Sequence, residues 1–188
     1  LRELLGRYTD RDPSTLKFAY GRAGKPKLVD APIHFSVSHS GELTIVALAR
    51  NTPVGVDVEG RRHPFRAGDI TDRLFHAEEK KQLRALPKGE LPAAVLRCWT
   101  IKEAVGKAIG LSLDQLLREV VVDADPLAPP RLLRLGRNRA PERWSLNQLS
   151  LVGHRAVVAV AAPAPGVRVE PVRRFHPSSG SGHSAPIT

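Results

Sequence analysis

The sequence has 188 residues, 41% of them apolar and 26% charged, which suits one globular domain or two small ones and excludes wholesale disorder. A formal charge of +10 favours anionic partners, without choosing among nucleic acid, anionic lipid, phosphorylated cofactors and acidic proteins. No run approaches the ~18 apolar residues of a membrane span, no signal peptide opens the chain, and the single cysteine, Cys98, excludes an internal disulfide; a cytoplasmic, membrane-free setting is expected.

The chain opens at Leu1 without an initiator methionine and is expected to lack an upstream part. Leu1 to Tyr8 reads as the end of a helix, with Leu1, Leu4 and Leu5 on one face. Leu16 to Tyr20 is a short strand and Gly21 to Pro32 a loop rich in Gly, Pro and Lys. Ile33 to Ser38 alternates apolar and polar residues, Ser40-Gly41 marks a turn, and Thr44 to Ala49 is the returning strand. Asn51-Thr52-Pro53 turns into a strand ending Val56-Asp57-Val58-Glu59, completing an expected antiparallel meander.

Gly60 to Asp72 reads as a basic loop, followed by a helix over Ala77 to Ala85. The strongest helical pattern runs from Leu91 to Ile109 and closes at Gly110. Strands are predicted at Val120–Val122, Arg131–Leu135, Trp144–Leu151 and Arg155–Ala162, the last two joined by a Gly153-His154 turn. Each half thus reads as helix, short strand and hairpin. The expected fold is α+β, a pseudo-dimer of two similar lobes, 1–87 and 88–162, each an antiparallel sheet with a packed helix. Residues 163–188 read as a frayed Pro/Gly/Ser-rich tail in which His176 and His183 are solvent-exposed bystanders.

Two acidic stretches do not read as packing. On the strand, Val54, Val56 and Val58 share one face while Gly55, Asp57 and Glu59 share the other, placing the two carboxylates ~7 Å apart, within reach of one hard cation. On the long helix, Glu103 and Lys107 lie four residues apart on one face. Together they point to a magnesium site beside a phosphate site. Taken singly, each has a plainer reading: Asp57 and Glu59 as the wet face of an edge strand, Glu103 and Lys107 as a surface pair, His39 as a turn residue. Cys98 reads as a small buried apolar residue, Trp99 as packing, and Lys102 as either solvated or facing a cofactor.

Three motifs in this order, Phe35-Ser36-Val37-Ser38-His39-Ser40-Gly41, Val54-Gly55-Val56-Asp57-Val58-Glu59 and Trp99-Thr100-Ile101-Lys102-Glu103-Ala104-Val105-Gly106-Lys107, resemble those of the two-lobed, Sfp-type 4′-phosphopantetheinyl transferases. The resemblance covers about Leu1 to Ala162. It implies transfer of the phosphopantetheine arm of coenzyme A to a serine of an apo acyl or peptidyl carrier protein, with release of 3′,5′-ADP. It implies Asp57, Glu59 and Glu103 as magnesium ligands, Lys107 at the diphosphate, Ser38 and His39 at the 3′-phosphate, and Lys25, within Gly24-Lys25-Pro26, in the nucleotide loop. The serine proton goes to Glu103, Glu59 or a cation-bound water, with Glu103 favoured.

Two departures stand out. The resemblance implies basic residues near the N-terminus that help hold the 3′-phosphate, and this chain is expected to start after them. His76 stands where a Ser or Thr is usual, which removes the hydroxyl half of a capping box with Glu79. The net charge fits steering of coenzyme A and an acidic carrier, with Arg61, Arg62 and Arg66 on the rim of the cleft. A monomer is expected, in contrast to single-lobe holo-acyl-carrier-protein synthases, which build their sites between three chains. A basic RNA-binding module is the alternative from another class; 5% aromatic content offers it no stacking platform, and no nucleic-acid partner is expected. A magnesium-dependent phosphohydrolase would use the same acids with water as nucleophile.

Overall fold

A computed structural model describes residues 1–60, 67–136, 139–151, 153, 156–170 and 174–175, with the backbone alone for 67–70. The helices are α1 (Arg2–Thr9), α2 (Ala67–Leu74), α3 (Ala77–Arg84), α4 (Leu91–Ile109) and α5 (Leu113–Glu119). The strands are β1 (Phe18–Tyr20), β2 (Pro26–Leu28), β3 (Ile33–Ser40), β4 (Leu43–Arg50), β5 (Gly55–Gly60), β6 (Val120–Val122), β7 (Leu132–Leu135), β8 (Ser145–Leu151) and β9 (Ala156–Ala162). All pairings are antiparallel and the fold is α+β, as the sequence implied.

The expected meander stops after β4. The strand β5 pairs with β9, from Gly55 opposite Ala161 to Gly60 opposite Ala156, in a three-stranded sheet ordered β5-β9-β8. The reason lies in burial on both faces. Val56 and Val58 pack with Ala156 and Val158 against Leu43, Ile45 and Ala47 of β4. On the other face Gly55 touches α4 so closely that a Cβ there would stand 1.9 Å from the Ala104 carbonyl oxygen and 2.4 Å from the Ala108 nitrogen. The acidic strand remains at the sheet's edge but is covered on both faces.

No backbone ladder joins β3 to β5. Three alternate serines do that work instead. The N–H groups of Val56, Val58 and Gly60 donate to the hydroxyl oxygens of Ser36, Ser38 and Ser40 at 3.1, 3.3 and 3.0 Å. The polar face of β3, which alternation assigns to solvent, is therefore a seam in which Ser36 and Ser38 are buried.

The central helix α4 is buried on most sides. Its residues Ala94, Val95, Cys98, Ile101, Ala104 and Val105 share one core with Leu116, Val120, Val122, Ala159 and Ala161. Gly110 ends it in the left-handed conformation, φ 69°, with its N–H on the Gly106 carbonyl. Burial pushes the Cys98 thiol up to about 12, in keeping with a packing role. We expect Gly55→Ala to destabilise the protein by about 1–3 kcal/mol, because the new methyl meets backbone atoms that cannot rotate away. A urea midpoint equal to that of the parent chain would contradict this close approach.

Other expectations need correction. Helix α2 occupies part of the expected basic loop, β2 lies within the expected Gly21–Pro32 loop, and α5 falls where no element was predicted. The tail is held at least to Val167: Ser145 donates to the Ala164 carbonyl at 2.7 Å and accepts the Val167 N–H at 2.9 Å. Further on, the Arg7 guanidinium stacks 5.0 Å from the Phe175 ring centre. Arg61, Arg62, Arg66, His154, Arg155, His176 and His183 lie outside the described residues.

Candidate active site

The contact of β5 with α4 at Gly55 aligns the polar remainder of the strand with the polar edge of the helix. A cleft of about 350 Å³ opens there, lined by Asp57 and Glu59 from β5, Trp99, Glu103 and Lys107 from α4, and Val37, Ser38 and His39 from β3. All but one of the predicted site residues line it. Lys25 does not: its ammonium donates to the carbonyls of Val54 (3.0 Å) and Ala108 (2.6 Å), beside the C-terminus of α4. Burial there lowers the Lys25 pKa to about 8.

Asp57 is the anchor of the cleft. It is only 3% exposed, and its Oδ1 accepts from Ser38 Oγ at 2.8 Å and Lys107 Nζ at 2.6 Å. Lys107 also donates to Ser38 Oγ at 3.0 Å. The one proton of Ser38 thus goes to Asp57, and its oxygen accepts from Lys107 and Val58, so the hydroxyl is fully used within the protein. His39 stands exposed on the rim.

Asp57 Oδ2 has no hydrogen-bond partner although it is buried. Burial, followed by the charges of Asp57 and Glu59, raises the Glu103 pKa above the ordinary carboxylate value; Lys107 opposes this. The acids therefore feel one another. As placed, however, no three His, Cys, Asp or Glu side chains among the described residues stand close enough to hold a metal ion. Asp57 is paired instead with Lys107. An orphaned, buried carboxylate oxygen in a cleft that holds two further carboxylates fits a hard divalent cation.

Behind the cleft lies a feature that sequence reasoning left undecided. Lys102 and Glu79 are both 0% exposed and form an ion pair at 2.8 Å. The Glu79 carboxylate also accepts the N–H groups of Val122 at 2.9 Å and His76 at 2.7 Å, so half of the capping box survives the loss of a hydroxyl at position 76. Burial lowers the Lys102 pKa and Glu79 counters it. This pair fastens α3 and β6 to the turn of α4 that carries Glu103. Lys102 is shut off from solvent and does not line the cleft.

Fold and cleft define an α+β protein whose polar site combines carboxylates suited to a hard cation with a lysine suited to phosphate. A family profile described as the 4′-phosphopantetheinyl transferase superfamily matches residues 53–161, which include the second and third motifs. The chain is 34% identical over 168 residues to the 4′-phosphopantetheinyl transferase HetI of a Nostoc species, spanning 87% of this chain and 67% of that one. It is 33% identical over 119 residues to the 4′-phosphopantetheinyl transferase Sfp of Bacillus subtilis, covering 61% of this chain and 52% of the relative. To the enzyme gsp of Aneurinibacillus migulanus it is 38% identical over 93 residues, covering 50% and 38%. The chain belongs to the 4′-phosphopantetheinyl transferase superfamily, and the resemblance read from the motifs is borne out. It spans about half the length, or less, of the Bacillus and Aneurinibacillus relatives. Among the described residues, no helix is long and apolar enough to cross a membrane.

Proposed function

We propose that this chain transfers the 4′-phosphopantetheine arm of coenzyme A to a serine hydroxyl of an apo acyl or peptidyl carrier protein in the cytoplasm, releasing 3′,5′-ADP. The observation that carries this reading is the single cleft shared by Asp57, Glu59, Glu103 and Lys107, with an orphaned carboxylate oxygen inside it. Asp57, Glu59 and Glu103 are the residues that would hold magnesium, Asp57 offering its unpartnered Oδ2. Magnesium, when bound, supplies charge neutralisation at the diphosphate and at the departing nucleotide phosphate.

The chain's own groups do the rest. Glu103 takes the carrier serine proton, a role favoured by the burial and neighbouring acids that raise its pKa above the ordinary carboxylate value. The serine oxygen forms a bond to the phosphorus bearing the pantetheine arm, and the bond to the nucleotide phosphate breaks. Lys107 offsets charge on the phosphoryl oxygens as a mobile point charge. Ser38 keeps Asp57 in place, and His39 on the rim meets the nucleotide's 3′-phosphate. Lys25 joins that contact by leaving its two carbonyls.

Action as a monomer is part of the proposal. The division into lobes at residues 87 and 88 is part of the proposal; the β5–β9 ladder ties the two together. The net charge of +10 favours coenzyme A and an acidic carrier surface. The test is direct: the full chain, coenzyme A, magnesium and an apo carrier are incubated and the intact carrier is weighed. A mass gain of one phosphopantetheine arm is expected. An unmodified carrier would refute the reaction, and nucleotide release without a carrier would instead identify a phosphohydrolase.

A further inference from the structure

We propose that Lys107 is the resident counter-ion of the cleft, holding Asp57 in place of a divalent cation and surrendering it when the cation and a diphosphate arrive together. This deepens the functional reading above and rests on it for the identity of the diphosphate. Four observations carry it. The ammonium stands 2.6 Å from Asp57 Oδ1. The other carboxylate oxygen of Asp57 is buried and unpartnered, so one cation satisfies only half of the group. The Asp57 side chain is 5% exposed while that of Lys107 is 33% exposed, so the lysine can swing toward the open side and the aspartate cannot. Finally, Ser38 accepts from Lys107 and donates to Asp57, which keeps Asp57 oriented after the lysine departs.

The energetics favour exchange only when both ligand parts are present. A divalent cation entering alone must meet the ammonium at close range or displace it into water, and both oppose binding. A diphosphate gives the displaced ammonium a new anionic partner and brings negative charge to the cation. Cation and diphosphate therefore assist each other, and the assistance is reciprocal. At rest Asp57 is paired with Lys107, and a free metal ion must compete with that ammonium to reach it.

The experiment uses the full chain with Mn²⁺ alone as probe, free ion being followed by electron paramagnetic resonance, and compares it with Lys107→Met and Lys107→Arg. Removing a like charge within a few ångströms should tighten Mn²⁺ binding by about tenfold or more in Lys107→Met, even after allowance for solvent screening. Lys107→Arg, which keeps the charge, should bind Mn²⁺ as the parent does. Adding coenzyme A should tighten Mn²⁺ binding more in the parent than in Lys107→Met. Where Lys107→Met melts lower than the parent, Lys107→Gln serves the same comparison.

Equal or weaker Mn²⁺ binding in the uncharged variant overturns the proposal. So does the absence of Mn²⁺ binding in every protein, which removes the metal reading as well. Tighter binding in Lys107→Met supports it. If the carrier then proves unmodified in the parent, only the proposed reaction falls.

Discussion

Glu103→Gln is expected to lower carrier modification by about 10²–10⁴-fold, the range that a positioned general base contributes. Asp57→Asn should reduce it to a comparable degree by removing charge from the anchor of the cleft. Neither change should unfold the protein. Glu103 is a carboxylate held against burial and two neighbouring acids, so neutralising it removes repulsion. Asp57→Asn frees Lys107, but that side chain is one-third exposed and can be solvated. Intact-mass kinetics with a circular dichroism melt check both halves. A Glu103→Gln enzyme of parental rate would remove Glu103 from the chemistry; a collapsed melt would assign it to the core instead.

The second large effect concerns stability. Lys102→Met is expected to cost about 3–5 kcal/mol, because it leaves the Glu79 carboxylate buried without its cation. The loss should depend on pH in a defined direction. A buried carboxyl without a partner has its folded pKa raised above its unfolded value, so the native state binds the extra proton and stability falls as pH rises through that interval. Lys102→Met should therefore recover part of its deficit on acidification toward the ordinary carboxylate range, while the parent should not share that recovery. A Glu79→Leu, Lys102→Met double variant should regain part of the loss and no more, since the Val122 and His76 N–H groups then lack an acceptor. Urea unfolding at two pH values measures all of this; a pH-independent deficit would contradict the buried-charge account.

Much of the molecule was legible because the relevant signals are local. The alternation of Ile33 to Ser38, the turn at Ser40-Gly41 and the returning strand define β3 and β4 by period and punctuation. Helix α4 runs from Leu91 to Ile109 as read, since a long apolar pattern with a terminal glycine leaves little choice. The same alternation correctly sorted the two faces of β5. What it could not give was the partner, because pairing with β9 is a contact between residues about a hundred positions apart.

The serine seam was hidden for a related reason. Ser36, Ser38 and Ser40 look like a wetted face until a strand with free N–H groups is laid against them. Helix α5 did leave a local trace: Ser112 and Gln115 form a capping box, Gln115 N–H on Ser112 Oγ at 3.3 Å and Ser112 N–H on Gln115 Oε1 at 3.0 Å. In the cleft, the motifs brought Asp57, Glu59, Glu103 and Lys107 together, but the direct pairing of Lys107 with Asp57 joins residues 50 positions apart and left no local trace. The Glu79–Lys102 pair was equally invisible, since each residue alone looks like surface and only burial reveals the other.

The most direct measurement of the central claim is a calorimetric titration of coenzyme A into the chain with and without magnesium. Three carboxylates facing a diphosphate repel it unless a divalent cation stands between them. The account predicts firm binding with magnesium and a large loss of affinity when the ion is chelated. Equal affinity in both conditions would contradict it.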